Sequence, residues 1–405
     1  MKNTSRRAFV RTGGAVAVGA AASWIGPRRT RSAETGAKRY RAAIIGRTGR
    51  GNYGHGLDVV YNHFDNIEVV AVADEDAGGR KKAAERTGAK GQYTDYRMML
   101  AREKPDIVSV APRWLDCHHD MVLACAEAGA HVFLEKPMAR TLAEADAMIE
   151  ACESRGLKMV IAHQMRLSPV ITEVRKRIAA GAIGQLMDLR GRGKEDRRAG
   201  GEDIMVLGTH ILDLMRLLAG DARWVQAEVK TDGRRIGAGD VRDGNEGIGP
   251  LAGDTITATY GFDNNVHGFF ASKKNADGGG GRYGLHVYGS KGMMTMQGGG
   301  DPIVHLLASS RWAPTDQAAT WQRVVSVTPS DVPDADGLLA GNVRIVRDWL
   351  DAIEQDRRPL SSGHDGRAAL EMILSVYEAH RQDTRVRLPL ERRTHPLEAL
   401  RQGSS

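Results

Sequence analysis

Two stretches of this 405-residue chain place chemically capable groups at strand ends. The first is Glu135-Lys136-Pro137, directly after the apolar run Val132, Phe133, Leu134. Such a run reads as a strand buried on both faces, because parallel strands covered by helices lose the polar alternation of half-exposed ones. Proline has no N–H to donate, so it ends the ladder, and an X-Pro bond can be cis where the chain turns sharply. Lys136 is therefore a cation at the carboxyl end of a parallel strand, the edge where open α/β sheets bind ligands. The second is Gly46-Arg47-Thr48-Gly49-Arg50-Gly51, after the short apolar strand Arg41–Ile45. It approaches the G-x-G-x-x-G turn that cradles a dinucleotide, with Thr48 in the second glycine's place. That glycine normally lets the backbone approach the pyrophosphate; Gly49 is the residue able to take over through a shifted loop.

A helix from about Gly54 to Asn62 is expected next, its N-terminus offering an anion site. The strand Ile67–Ala73 then ends at Asp74, 28 residues after Gly46. An acid there can hydrogen-bond a ribose 2′-OH and repels a 2′-phosphate, so NAD is expected rather than NADP.

The elements behind these residues alternate regularly. Helical stretches (Asp76–Thr87, Tyr96–Glu103, His118–Gly129, Leu142–Gly156) separate strands at Asp106–Ala111, Val132–Leu134 and Lys158–Ala162. Repeated β-α-β units predict a doubly wound parallel sheet of the Rossmann type. Its carboxyl edge would display Gly46–Gly51, Asp74, Pro112–Trp114, Glu135–Lys136 and His163–Arg166 together. The rhythm then changes. Val170–Ala180 reads as a helix and Gln185–Gly191 as a strand; Gly200–Gly220 is an apolar helix carrying His210 and Asp213 at i, i+3, hence on one face. Strands at Arg223–Lys230, Thr255–Phe262, Val266–Lys273, Gly284–Gly289 and Met293–Met296 suit a second, mainly antiparallel sheet. Thr231–Gly253 is a long Gly/Asp-rich connection of the kind that often forms lids or binding loops. Asn275–Gly281 is a Gly-rich turn, and helices close the chain at Asn342–Gln355 and Gly366–His380. The fold class is α/β: a dinucleotide-binding domain at 36–164, a second α+β domain at 165–390, and a tail at 391–405.

The net charge of +7 suggests a nucleic-acid partner until it is located. Residues 1–40 hold nine Lys/Arg and one acid, a net +8, which leaves the remaining chain at −1. A near-neutral body has little electrostatic footprint for phosphate backbones. The basic segment itself, residues 1–35, reads as a leader: Arg6-Arg7 precede a mild apolar stretch, resembling a twin-arginine export signal and implying a periplasmic protein. The apolar stretch is too short to span a bilayer. Cys117, Cys125 and Cys152 lack C-x-x-C spacing and read as ordinary helix residues.

In this order, the glycine turn, Glu135-Lys136-Pro137, His163–Pro169, Gly-x-His-x-x-Asp at Gly208–Asp213, Tyr288-Gly289-Ser290-Lys291-Gly292 and the closing Ile353…Arg358-Pro359…Tyr377 resemble the Gfo/Idh/MocA family. These are the glucose–fructose oxidoreductase and inositol dehydrogenase relatives, and the match runs from about Arg41 to Leu390. The resemblance implies a Rossmann-like domain with bound nicotinamide and an open sheet that mediates oligomerisation, as a dimer or tetramer. It implies catalytic roles for Lys136, which holds substrate and cofactor, and His210, which takes the hydroxyl's proton. Gly46, Thr48, Gly49, Gly51, Asp74, Pro112, Trp114, Glu135, Lys136 and Arg166 would line the cofactor. The substrate class is a carbohydrate: a sugar, polyol or glycoside.

Two departures stand out. The family's Asp four residues before the histidine is Val206 here, so Asp213 or Asp203 must orient His210, or Lys136 or a tyrosine serves as base. The loop after Pro112 is longer by about two residues, and His118 reads as a helix-start residue. Glu195, Asp196, Glu202, Asp203 and His210 have ligand chemistry, but acids in a Gly/Arg-rich loop read as solvated, and no metal is expected. Export adds a constraint: without a free NAD pool outside the cytoplasm, the cofactor must be tightly held and regenerated within each cycle. Paired oxidation and reduction of two sugars, or a redox-neutral glycosidase or lyase reaction, both satisfy it. A non-catalytic sugar-binding protein is the reading from another class.

Overall fold

The computed structural model describes residues 38–274, 281–314, 319–326, 332 and 337–403. The leader and most of the Asn275–Gly281 turn lie outside the described residues.

Six strands, β1 (Tyr40–Ile45), β2 (Ile67–Ala73), β3 (Gly91–Tyr93), β4 (Ile107–Val110), β5 (His131–Leu134) and β6 (Met159–Ile161), form one sheet in the order 3-2-1-4-5-6. Every pairing in it is parallel. This is the dinucleotide-binding strand order, whose direction reverses between β1 and β4 and opens a crevice at the carboxyl ends. Helices α1 (Ala77–Thr87), α2 (Tyr96–Glu103), α3 (His118–Glu127) and α4 (Leu142–Glu153) make the crossovers. Their ends are set by local chemistry. Asp76 caps α1 by accepting the Gly79 N–H at 2.6 Å, and Gly88 closes it at φ 73°.

The expected helix at Gly54–Asn62 is replaced by turns and a short 3₁₀ turn at Val60–His63. Gly54 and Gly56 take φ +64° and +84°, which no helix interior allows. A Cβ on Gly54 would stand 2.4 Å from Glu135 Oε2, so only glycine lets the chain pass there.

After α5 (Pro169–Ala179), β7 (Leu186–Arg192) opens the second sheet. Helix α6 (Gly200–Asp203) runs through a π-helical turn, Ile204–Gly208, into α7 (Thr209–Ala219). The remaining strands are β8 (Trp224–Thr231), β9 (Arg234–Arg235), the small hairpin β10 (Arg242–Asp243) and β11 (Pro250–Leu251), β12 (Thr255–Gly261), β13 (His267–Lys273), β14 (Gly284–Gly289), β15 (Gly292–Gln297), β16 (Ile303–Leu307), β17 (Gln322–Val324) and, late in the chain, β18 (Val386–Arg387). The large sheet runs 17-16-15-14-7-13-12-8-18, antiparallel except between β7 and β13.

Helix α8 (Gly337–Glu354) does not join the second sheet. Val343, Val346 and Trp349 pack with Ala42, Ile44, Phe133 and Val160 of the first, and Trp349 Nε1 donates to Lys158 O at 3.1 Å. Burying such side chains stabilises by roughly 1.5–3 kcal/mol each. Helix α9 (Gly363–Gln382) starts at a Ser362–Asp365 capping box. The segment read as a tail contains helix α10 (Pro396–Arg401), and Arg393 pairs with Asp146. The three cysteines are free and buried. No helix among the described residues is long and apolar enough to cross a membrane.

Candidate active site

The glycine turn is built around Asp74. Its carboxylate accepts the Thr48 N–H at 3.0 and 3.2 Å, the Thr48 hydroxyl at 2.7 Å and the Asp76 N–H at 3.0 Å. Thr48 thus uses its side chain to tie the turn to the end of β2, which a glycine could not do. Gly49 (φ +82°) stands open, with nothing within 4 Å of an added Cβ. Gly51 is pressed against the next strand's loop: a Cβ there would lie 2.2 Å from the Arg113 N. Trp114 sits beside it, with the Arg50 guanidinium 5.0 Å from its ring centre.

Cavities flank the turn on either side. One of about 360 Å³ is lined by Gly46, Arg47, Asp74, Glu75, Tyr96 and Arg97. The other, about 410 Å³, includes Lys136 and His210 in its lining. A dinucleotide laid over Gly49 has room for its adenosine in the first and its nicotinamide in the second, so the residues fit NAD.

Lys136 follows β5 into the second cavity through a cis bond to Pro137. It is 6% exposed, and its Nζ donates to Val206 O at 3.3 Å. That carbonyl belongs to the π turn, whose wider backbone loop leaves carbonyls to outside donors. Tyr283 takes the adjacent one, its hydroxyl donating to Leu207 O at 3.2 Å. Burial lowers the Lys136 ammonium, opposed by Glu135 and Glu246. His210 is held well below its ordinary value by burial, then by Lys136, His163 and His55. It is a neutral ring with Nδ1 unpartnered among the described residues, as is Gln164 Oε1. Both residues line the cavity, so a buried nitrogen and a buried acceptor are left for a ligand.

Glu135 turns away from the cofactor crevice. It is fully buried and accepts the His55 N–H and Nδ1 at 3.0 and 3.1 Å and the Lys136 N–H at 3.1 Å. Burial alone would raise its carboxyl, but the His55 hydrogen bonds and the Lys136 charge hold it below the usual carboxylate range.

Several sequence expectations are corrected. Asp213 does not orient His210. Its carboxylate meets Arg166 Nη1 at 2.6 Å, within a buried cluster that includes Asp365 and Arg216. Arg166 for the same reason is not at the cofactor edge; its Nε donates to Leu360 O at 2.5 Å. One turn of helix separates Asp213 from His210 on the same face, but Arg166 reaches it first and out-competes a neutral ring. His163 lies between: its Nε2 is 3.0 Å from Thr209 Oγ1, its Nδ1 is 3.7 Å from Asp213, and its ring stands edge-on to His210 at 5.5 Å. Asp203 serves elsewhere, accepting from Ser272 Oγ at 2.6 Å and from the Lys194 and Glu195 N–H groups. It and Glu195, which accepts the Lys273 N–H and pairs with Arg192 and Arg282, are buried rather than solvated. His118 starts α3 as expected, and its ring bridges Pro112 O at 2.7 Å and Met138 O at 3.1 Å. The loops after β4 and β5 are thereby locked together.

Sequence reasoning missed His55, Glu246 and the cations Lys194, Arg197 and Arg198, all in the lining, whereas Arg113 and Gln164 fall within the strand-end segments expected at this edge. The dense charge of Lys194–Arg198, directly after a strand of the second sheet, was the available signal.

The fold and site define an NAD-binding oxidoreductase. Residues 40–163 match the description "Oxidoreductase family, NAD-binding Rossmann fold" of Gfo/Idh/MocA proteins, and residues 171–295 match a Gfo/Idh/MocA C-terminal domain. The chain belongs to the Gfo/Idh/MocA oxidoreductase family. It is similar to D-apiose dehydrogenase of Paraburkholderia graminis, with 26% identity over 380 residues, 87% of this chain and 91% of that protein. It shares its fold with levoglucosan dehydrogenase in complex with NADH and levoglucosan, at TM-score 0.68 and 19% identity, covering 87% of this chain and 100% of that one. The aldose-aldose oxidoreductase of Caulobacter crescentus, complexed with glycerol, superposes at TM-score 0.67 with 20% identity over 87% and 100%.

Proposed function

We propose that this protein is an exported enzyme that oxidises a CH–OH group of a sugar, polyol or glycoside, with NAD held tightly and recycled within each turnover. One observation carries the reading: Lys136 and neutral His210 share a cavity beside the glycine turn, with His210 Nδ1 and Gln164 Oε1 unpaired. Bound NAD supplies a hydride acceptor. The chain's residues do the rest. Lys136 donates a hydrogen bond to the reacting oxygen and stabilises the negative charge that grows on it. His210, already neutral, receives the proton at Nδ1. Gln164 Oε1 accepts from a neighbouring hydroxyl and fixes the ring. The likeness to D-apiose dehydrogenase supports a carbohydrate substrate, and the twin-arginine leader supports export and recycling. The open face of the second sheet exposes Phe269 and Ile303, as a homo-oligomeric contact would require.

A second reading has its own observation. Glu246 is the acid of the cavity lining, placed to protonate a departing aglycone. A glycoside could then be oxidised, eliminated, hydrated and reduced again, with net addition of water and no net redox change.

The deciding experiment is to denature protein purified after export and quantify NAD(H) and NADP(H) per chain. Near-stoichiometric NAD is expected. An empty protein that also fails to bind added NAD would overturn the proposal. With cofactor present, glycoside cleavage without NADH release selects the second reading.

A further inference from the structure

The cavity holding Lys136 and His210 is strongly basic on one side. Its lining carries Arg113, Lys136, Lys194, Arg197 and Arg198 against one acid, Glu246. These cations have different origins. Arg113 follows β4, its backbone N faces Gly51 in the glycine turn, and its charge weighs on Lys136. Lys194, Arg197 and Arg198 come from the second domain, on the loop after β7, and line the cavity from that side.

The acids near that loop do not neutralise it. Glu195 faces away, paired with Arg192 and Arg282 and bonded to the Lys273 N–H at 2.8 Å. Asp196 makes the direct ion pairs with the other cations, taking Arg198 in a two-pronged contact at 3.0 and 2.6 Å and Lys194 at 3.5 Å, while Asp203 and Glu202 act on Arg198 from further off. Arg197 has no ion-pair partner among the described residues. In direct ion pairs among the described residues, the three cations on this loop therefore share one carboxylate. Arg198 is also close enough to weigh on Lys136, whose ammonium it lowers along with Arg113. The positive loop thus faces the reacting centre across the cavity. A neutral sugar can only accept ordinary hydrogen bonds from such a wall, whereas a guanidinium fork, free in Arg197 among the described residues, pairs with the two oxygens of a carboxylate or phosphate in stronger, charge-assisted bonds.

We propose that the substrate is an anionic carbohydrate, its charged group held by Arg197 and Lys194, with the N–H groups of Arg198 that Asp196 leaves free, while a hydroxyl of the same molecule lies against Lys136 and His210. The inference rests on the carbohydrate-oxidoreductase reading and adds the charge of the substrate.

The test uses the full-length exported protein with its cofactor. Glucuronate, methyl glucuronide, glucuronamide, methyl glucoside and glucose 6-phosphate are compared by calorimetric binding and by product formation. The acids are expected to bind and turn over about 10- to 100-fold better than glucuronamide and methyl glucoside, the weight of one or two hydrogen bonds to a charged group. Added salt should narrow that gap, because the loop is open to solvent. Arg197→Gln with Arg198→Gln should erase it; both residues are at least partly exposed, and retained cofactor content reports intact folding. A phosphate sugar surpassing the uronates supports the anionic class and assigns phosphate as the group. Neutral sugars handled as well as acids overturn this inference and leave the oxidoreductase reading standing. Bound NAD with no binding of any sugar, charged or neutral, overturns both.

Discussion

Glu135 accepts both the backbone N–H and the ring Nδ1 of His55, at 3.0 and 3.1 Å, and thereby ties the loop after β1 to the strand end that carries Lys136. An ionised carboxylate can only accept, so the ring nitrogen facing it donates. The loop gains a rigid anchor without a helix. Asn342 of α8 completes the clamp by donating to His55 O at 2.8 Å. Glu135→Ala should remove the acceptor of two part-buried His55 N–H groups and leave the buried Lys136 N–H without one, the last at about 1–3 kcal/mol. Denaturant unfolding should show that loss together with weaker NAD binding. Unchanged NAD affinity would mean that the anchor does not position the cofactor loop.

Thr48 and Asp74 make the second tie, on the adenosine side. Thr48→Ala removes the 2.7 Å hydroxyl contact but keeps the N–H bonds. NAD affinity should fall by about fivefold, the worth of roughly one hydrogen bond, with the preference for NAD over NADP intact. Asp74→Ser removes the carboxylate that repels a 2′-phosphate and should narrow that preference. Dissociation constants for both cofactors on both variants separate anchoring from discrimination.

His395 provides a pH prediction. Burial lowers its ring from 6.5 to about 4, and its Nδ1 accepts the Leu397 N–H at 3.2 Å to cap α10. The unfolded chain takes up this proton below about pH 6.5, while the folded chain resists until about pH 4. Stability from this group is therefore full above pH 6.5 and lost as pH falls toward 4, by about 3 kcal/mol. His395→Asn keeps a capping oxygen and removes the titration. Its unfolding free energy should decline less steeply than the parent's between pH 6.5 and 4.

Much of this was legible in the sequence, for stated physical reasons. Apolar runs marked five of the six parallel strands, because strands buried on both faces leave no polar alternation; β3 (Gly91–Tyr93), three half-buried or exposed residues at the sheet edge, has no such run and was not legible. Lys136 was legible because a charged residue at such a strand end has one direction to point. The pairing of Arg166 with Asp213 was not, since the two lie 47 residues apart and only the packed fold brings them together. Helix spacing correctly put Asp213 on the face of His210 but could not show that a guanidinium would claim it. The docking of α8 on the first sheet was hidden likewise: an amphipathic pattern gives a helix its apolar face and not its partner.

Val206 is where the departure from the family pattern meets the chemistry. Four residues before His210, its side chain lines the cavity while its carbonyl receives Lys136. A carboxylate at this position would favour the imidazolium; without one, burial and Lys136 keep His210 neutral to well below pH 6.5. The acidic limb of the kcat/KM profile, which reports protonation of the base, should therefore lie far below that of an ordinary histidine. Val206→Asp should move the limb to higher pH, because the new charge raises the His210 pKa. Val206→Asn, similar in size but uncharged, should leave it near its original place. Parallel unfolding measurements would show a stability cost for both, since each buries a polar group where an apolar one stood. A limb that moves with Asp, stays with Asn and disappears in His210→Asn identifies His210 as the titrating base; a limb that moves with Asp but survives His210→Asn assigns the proton to Lys136, whose Nζ also lies at Val206 O.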